Sequence, residues 1–355
     1  MNSIITDTYS VHFKSNCYTQ LNKYIKTEQC SKIFILIDTN THNFCLSQFI
    51  PKIETTADIE IIEIEAGEHH KTIETCVGVW ETLSELGADR KSLLLNLGGG
   101  VVTDLGGFVA STFKRGIKYI NIPTSLLAMV DASVGGKNGV DLGVLKNQIG
   151  VINSGEMVLI DTEFLDTLPQ NQLKSGLAEM LKHGLIYDRL YWDKMTDLSQ
   201  LTLNDLDQLI HESVLIKKAI VEKDPFENNI RKSLNYGHTL GHAIESYFLS
   251  SPEKDDLLHG EAIAIGMILA TYISSELLNF PKDDLEMIKT VIMNTFKHVD
   301  ILPSDHEAII DLLKYDKKNE HGNINFVLLE AIGKPKINCI VDNTLILDAF
   351  AYYNV

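Results

Sequence analysis

The sequence predicts an α/β N-terminal half built on a parallel sheet, followed by a mostly α-helical C-terminal half. Three observations lead there. Short apolar runs alternate with helical periodicity up to about residue 163. Beyond that point helical periodicity takes over almost alone. The chain has 355 residues, 45% apolar and 22% charged, enough for two domains with ordinary globular cores.

Taken in order, residues 32–37, 59–64, 92–97, 119–123 and 157–160 read as strands. Helices are expected over 72–86, stopped by Gly87, and over 101–113. Strands alternating with helices make a parallel sheet covered on both faces. The later helices are expected over 175–186, 203–222, 234–248, 260–277, 283–296 and 306–313. Two short strands, 325–329 and 337–341, precede a closing helix at 345–353. The domain boundary is set at 168/169, giving 1–168 and 169–355. No internal repeat or low-complexity linker interrupts the chain.

A net charge of −17 argues against nucleic acid and anionic membrane as partners, because both favour a basic surface. A small anionic substrate stays compatible with it. The five cysteines, Cys17, Cys30, Cys45, Cys76 and Cys339, are odd in number and scattered, so reduced thiols are expected. The N-terminus lacks a basic region and an apolar signal core. The longest apolar run, near 262–273, is too short for a bilayer. A cytoplasmic protein is expected.

Four stretches carry chemistry. In residues 227–260, Arg231, Asn235, His238 and His242 recur at spacings of four, three and four. On one helix that places a guanidinium, an amide and two imidazoles on a single face, a poor core stripe and a good site wall. Leu97-Gly98-Gly99-Gly100-Val101-Val102-Thr103-Asp104 joins a strand end to a helix start, as an anion site does, though Thr103 replaces the third glycine of Gly-x-Gly-x-x-Gly. Asp38, ending an earlier strand, is placed to hold a ribose in a Rossmann-like sheet. Residues 131–147 are glycine-rich with Lys137 and Lys146, too poor in apolar residues for a core element, and read as a ligand-binding loop. Arg115 adds a candidate anion grip. Glu179, Lys182 and His183 share a helix face that alone reads as a surface ion pair. Combined with His238 and either His242 or His259, Glu179 makes a two-histidine, one-carboxylate set that leaves an open metal position.

These segments together, with Pro123-Thr124-Ser125, His259-Gly260-Glu261 and Asp316-Lys317-Lys318, resemble the 3-dehydroquinate synthase family from about residue 38 to 332. The resemblance implies a dehydroquinate synthase-like fold, an NAD-binding α/β domain with a helical metal- and substrate-binding domain. It implies NAD, a divalent metal that is zinc or alternatively cobalt, and a homodimer. Glu179, His238 and His259 match the metal ligands. Asp38, Asn40, Glu68, Lys71, Gly99, Gly100, Val101, Asp104, Thr124, Ser125, Lys146 and Thr167 match positions that hold NAD. Arg115, Asp131, Lys137, Asn147, Lys182, Lys217, Arg231, Asn235 and one of Lys317 or Lys318 match substrate positions. Glu227 and His242 match the positions assigned to proton transfer. The implied reaction converts 3-deoxy-D-arabino-heptulosonate 7-phosphate to 3-dehydroquinate and phosphate, with NAD regenerated in each cycle, a step of the shikimate pathway toward aromatic amino acids. The alternatives are another sugar phosphate cyclase, or a metal-dependent NAD alcohol dehydrogenase of related fold. In three places the chain departs from the family pattern. The spacer 249–256 before His259 is slightly long. Asn229 stands where glycine is common and is expected to keep a left-handed turn; Ser175 replaces an asparagine near the cofactor.

Overall fold

The computed structural model describes residues 1–143, 145–196, 203–313 and 324–355. The chain divides into two compact units, Met1–Leu173 and Lys174–Val355.

The first unit is built on a seven-stranded sheet in the order β1-β2-β9-β6-β5-β3-β4. Its strands are β1 (Ile4–Ile5), β2 (Ser10–Phe13), β3 (Ile33–Asp38), β4 (Ile59–Ile64), β5 (Leu93–Gly98), β6 (Lys118–Pro123) and β9 (Met157–Ile160). Only β1 pairs antiparallel; the other ladders are parallel, as the alternation predicts. Every residue of β5 is buried, because a parallel strand in mid-sheet has covers on both faces. Phe34, Leu36 and Leu94 on one face meet Val102, Leu105 and Val109 of the helix Gly100–Thr112, and Cys76, Val79 and Leu83 of the helix Ile73–Glu85. From β3 the chain steps to β4 on one side, then to β5 on the other. That reversal sets the carboxyl ends of β3 and β5 side by side, where doubly wound sheets bind ligands.

Residues 131–147, expected as a loop, instead form a hairpin. A π-helical turn at Ala128–Ala132 leads into β7 (Lys137–Leu142), which pairs with β8 (Leu145–Ile152). One glycine that reads as loop, Gly139, is a cross-strand partner here: it faces Gly150, and a Cβ on it would lie 2.5 Å from the Ile149 carbonyl oxygen. The strands β1 and β2, the helix Ser15–Glu28 and the helix Arg189–Met195 are not legible in the sequence.

The second unit is mainly helical. It carries most of the helix Gln170–Tyr187, then Arg189–Met195, Leu203–Lys223, His238–Ser250, His259–Leu278, Lys282–Thr295, His306–Leu312 and Asn343–Asn354, with one hairpin of β10 (Asn325–Ala331) and β11 (Lys334–Ile340). The expected helix 234–248 does not exist as one piece. Ile230–Asn235 is a 3-10 turn, Tyr236 is extended, and Gly237 at φ 77° starts a new helix at His238. Gly237 is held there by close approach: a Cβ on Gly266 would come within 2.0 Å of its carbonyl oxygen. His238 and His242 therefore share a face, but Arg231 and Asn235 belong to a different element.

The apolar run near 262–273 is the middle of a longer helix, His259–Leu278, whose 20 residues suffice by length and composition to cross a membrane. That helix is a core element, since 72% of its apolar window is buried inside the protein. Among the described residues the five cysteines are free thiols.

Candidate active site

In the second unit, Glu179 sits on the helix Gln170–Tyr187 with no exposed surface. Its Oε1 lies 3.6 Å from Nε2 of His238 and 3.7 Å from Nε2 of His259. Ligand bonds of about 2.1 Å at tetrahedral angles to one ion would set donor atoms roughly 3.4 Å apart, so these three donors fit a common divalent cation. Both imidazoles are already turned for it. Nδ1 of His238 meets the backbone carbonyl of Tyr236 at 3.1 Å, and Nδ1 of His259 meets Oε2 of Glu245 at 3.1 Å. With Nδ1–H donating, the neutral form of each ring carries its lone pair on Nε2, toward Glu179. Burial opposes a charge on His259, but Glu245 and Glu179 outweigh it and push its pKa up to about 10. Two carboxylates around one imidazole make a place that stabilises added positive charge.

His242 lies one turn beyond His238, with ring centroids 5.0 Å from His238 and 5.6 Å from His259. His238, His242 and His259 also form a group whose nitrogens lie within 4.8 Å of one another. Spacing alone leaves His242 and His259 as alternatives; the contact of His259 Nε2 with Glu179 Oε1 at 3.7 Å is the feature that sets His259 apart.

Among the described residues of this unit, Lys182, Lys217 and Arg231 are buried cations. Lysine and arginine are rarely buried without partners. Lys182 is ion-paired with Glu179 inside the protein, so the surface pair expected from spacing is wrong in its setting. His183, beside it, is fully buried, with Nδ1 2.7 Å from Ser213 Oγ. Arg231 donates to the Pro225 carbonyl at 2.6 Å. Asn235 donates to Glu227 at 2.9 Å, and Glu227 holds a left-handed φ of 59°. That conformation was expected at Asn229, whose φ is −142°. Strain at a polar residue facing a site is a common companion of function.

In the first unit, Gly98 ends β5 and Gly99 precedes the helix that begins at Gly100. Thr124 follows the neighbouring strand β6, and its N–H donates to the Gly98 carbonyl at 3.0 Å. Gly98 must be glycine, since a Cβ there would lie 2.5 Å from Val102 Cβ. A 13-residue helix pointing its N-terminus at the carboxyl ends of β3 and β5 suits a pyrophosphate. Nearby, Lys71 donates to Asp104 and to Asn147, both at 2.7 Å. Burial opposes its charge, but Asp104, Glu68 and Asp141 hold its pKa above the ordinary lysine value. Lys146 pairs with Glu68 at 3.1 Å and Asp141 at 3.5 Å. Asp141 also accepts the Asn147 N–H at 2.6 Å, which fixes Asn147 at a φ of 51°. Asp38 caps its own strand end by accepting the Thr41 N–H at 2.7 Å. Val101 lies in the helix Gly100–Thr112, Ser125 follows Thr124, Asp131 is in the turn Ala128–Ala132 and Lys137 begins β7, while Asn40 and Thr167 are exposed.

Arg115 stands apart. It sits exposed in the turn before β6, at the opposite end of that strand from Thr124. Eight residues of extended chain separate the two, on the order of 25 Å. Lys317 and Lys318 lie outside the described residues. Sequence reasoning gave no role to Glu245 and Asp141, though both lie inside stretches it singled out, and it missed Asp224, which lies outside them. Ser175 was read as a cofactor-side loss; it accepts the Gly260 N–H at 2.9 Å and so ties down the residue after His259.

The comparisons agree along the chain. Residues 61–175 match the family model for the 3-dehydroquinate synthase N-terminal domain, and residues 176–319 match that for the C-terminal domain. The 3-dehydroquinate synthase of Parabacteroides distasonis is 41% identical over 337 residues, 94% of this chain and 95% of that protein. That of Thermoanaerobacter pseudethanolicus is 36% identical, covering 96% of each. The crystal structure of 2-deoxy-scyllo-inosose synthase complexed with carbaglucose-6-phosphate, NAD+ and Co2+ matches with a TM-score of 0.82 at 26% identity, over 97% of this chain and 96% of that one. By sequence, by both domain models and by fold, this chain belongs to the 3-dehydroquinate synthase family.

Proposed function

We propose that the protein is a 3-dehydroquinate synthase, a phosphate-eliminating lyase that turns 3-deoxy-D-arabino-heptulosonate 7-phosphate into 3-dehydroquinate within the shikimate pathway. One observation carries the reading: Glu179, His238 and His259 converge with both rings already oriented, in a chain of this family. The donor set fits zinc or cobalt, and the strand–turn–helix at Gly98 to Gly100 fits NAD. Glu179, His238 and His259 would hold a cation, which would supply polarisation of a substrate hydroxyl, and the Gly98 to Gly100 turn would hold NAD, which would supply reversible hydride transfer.

The remaining work falls to the chain. Lys182, Lys217, Arg231 and Lys137 hold the phosphate and carboxylate, which offsets two anionic groups within an acidic protein. Asp131, Asn147 and Asn235 fix hydroxyls, Asn235 being steadied by Glu227. Glu227 and His242 move protons at their carboxylate and ring nitrogens. Binding orients a substrate whose later steps need alignment more than strong acids. A homodimer acting in the cytoplasm belongs to the same proposal, and sedimentation checks the subunit count.

The test is phosphate release from the heptulosonate phosphate, with and without NAD and chelator, together with product identification. Release that needs both NAD and metal, with 3-dehydroquinate formed and no NADH accumulating, is the expected result. Stoichiometric NADH would make the protein a dehydrogenase. Turnover of a different sugar phosphate in preference would make it another cyclase.

A further inference from the structure

Glu245 has no place in the reaction described so far, yet it is buried and its Oε2 meets His259 Nδ1 at 3.1 Å. A buried carboxylate is costly unless something nearby uses its charge. Glu245 lies seven residues beyond His238 on the helix His238–Ser250, two turns along one face. One helix thus supplies a donor, His238, and the group that grips the other imidazole. The two rings are held differently. His238 leans on a neutral backbone carbonyl, whereas His259 leans on a carboxylate. A carboxylate fixes the tautomer more firmly and raises the basicity of the opposite nitrogen. The backbone of His259 is held as well, through Ser175 Oγ and the Gly260 N–H at 2.9 Å.

We infer that Glu245 is the positioning residue for His259: it fixes Nε2 toward Glu179 and thereby sets the affinity of the site for a divalent cation. The inference rests on the cation reading above. Its test uses the full-length protein freed of metal and titrated with Co2+, against a competing chelator and by visible absorption. Glu245→Gln keeps the volume and a hydrogen bond but removes the charge; Glu245→Ala removes both. Both variants are expected to bind Co2+ about 10- to 100-fold more weakly than the parent. Their cobalt absorption bands should shift, a change that general destabilisation would not cause, and NAD affinity should be unchanged. If the alanine variant does not fold, the glutamine variant decides. Parental Co2+ affinity and an unchanged spectrum in Glu245→Gln would overturn the inference and leave the cation reading intact. A parent protein that binds no Co2+ would overturn both.

Discussion

Asp224 accepts the backbone N–H of Arg231 at 3.0 Å, and its carboxylate also takes the N–H groups of Asn229 at 2.7 Å and Asn228 at 2.9 Å. Residues 224–231 therefore wrap around one charge, and that wrapping delivers Arg231 to its buried position. Burial works against the Asp224 carboxylate, but these N–H groups and Arg231 outweigh it and hold its pKa below the ordinary value. A depressed folded pKa contributes stability that is complete above the unfolded value, near 4, and lost as pH falls through the folded one. Asp224→Asn should cost about 1–3 kcal/mol at neutral pH. Its stability should also change less than the parent's between about pH 5 and pH 3. Urea unfolding at several pH values checks both; parallel curves for the two proteins would refute the assignment.

Gly260 allows two helices to touch. A Cβ there would lie 2.2 Å from the Ser175 carbonyl oxygen and 2.4 Å from Ser175 Cα, both backbone atoms that cannot step aside. Gly260→Ala should push the helix starting at His259 away from the one bearing Glu179. Overpacking of this kind costs about 1–3 kcal/mol. Because the displaced residue adjoins His259, Co2+ affinity should fall by more than thermal stability alone would explain. A melting curve and a chelator competition on the same sample measure both.

Lys71 is the hub of the first unit's polar cluster, with Asp104 and Asn147 at 2.7 Å and Glu68 at 4.0 Å. Removing the cation strands buried acids that it neutralises. Lys71→Met is expected to cost about 3–5 kcal/mol, the usual range when one member of a buried pair is lost. NAD affinity should drop with it, while Co2+ binding in the second unit is retained. Equal loss of both ligands would point to global unfolding instead.

Much of the fold is legible because burial on two faces leaves a continuous apolar run. Strand β9, buried at all four residues, begins and ends where its run does. The hairpin at Lys137–Ile152 was not legible, because Gly139 and Gly150 are there for backbone approach and glycine in sequence speaks first of loops. The histidine spacing was legible where one helix carries it, from His238 to His242. It misled across Gly237, whose left-handed φ breaks the helix for a packing reason that lies thirty residues away at Gly266. Glu245 could not be found from sequence at all. Its partner His259 lies beyond a loop, and an acid on a helix ordinarily faces water.

The ring centroid of His242 lies 5.0 Å from that of His238 and 5.6 Å from that of His259, close enough to carry a proton or to bind the ion. The two roles leave different traces. A ligand sets metal content, so its loss lowers Co2+ stoichiometry and alters the cobalt spectrum. A proton carrier sets rate and the pH dependence of rate, and leaves the ion where it is. The stronger claim on the ion belongs to His259, since its Nε2 faces Glu179 Oε1 at 3.7 Å and its Nδ1 is already gripped. His242→Ala should therefore keep one Co2+ per chain and lose about 10²- to 10⁴-fold in kcat, with little change in KM. Added imidazole should restore part of the rate, because a diffusible base can replace a missing proton carrier but not a missing helix-borne ligand. Metal loss in the alanine variant would instead make His242 a ligand and transfer the proton step to Glu227.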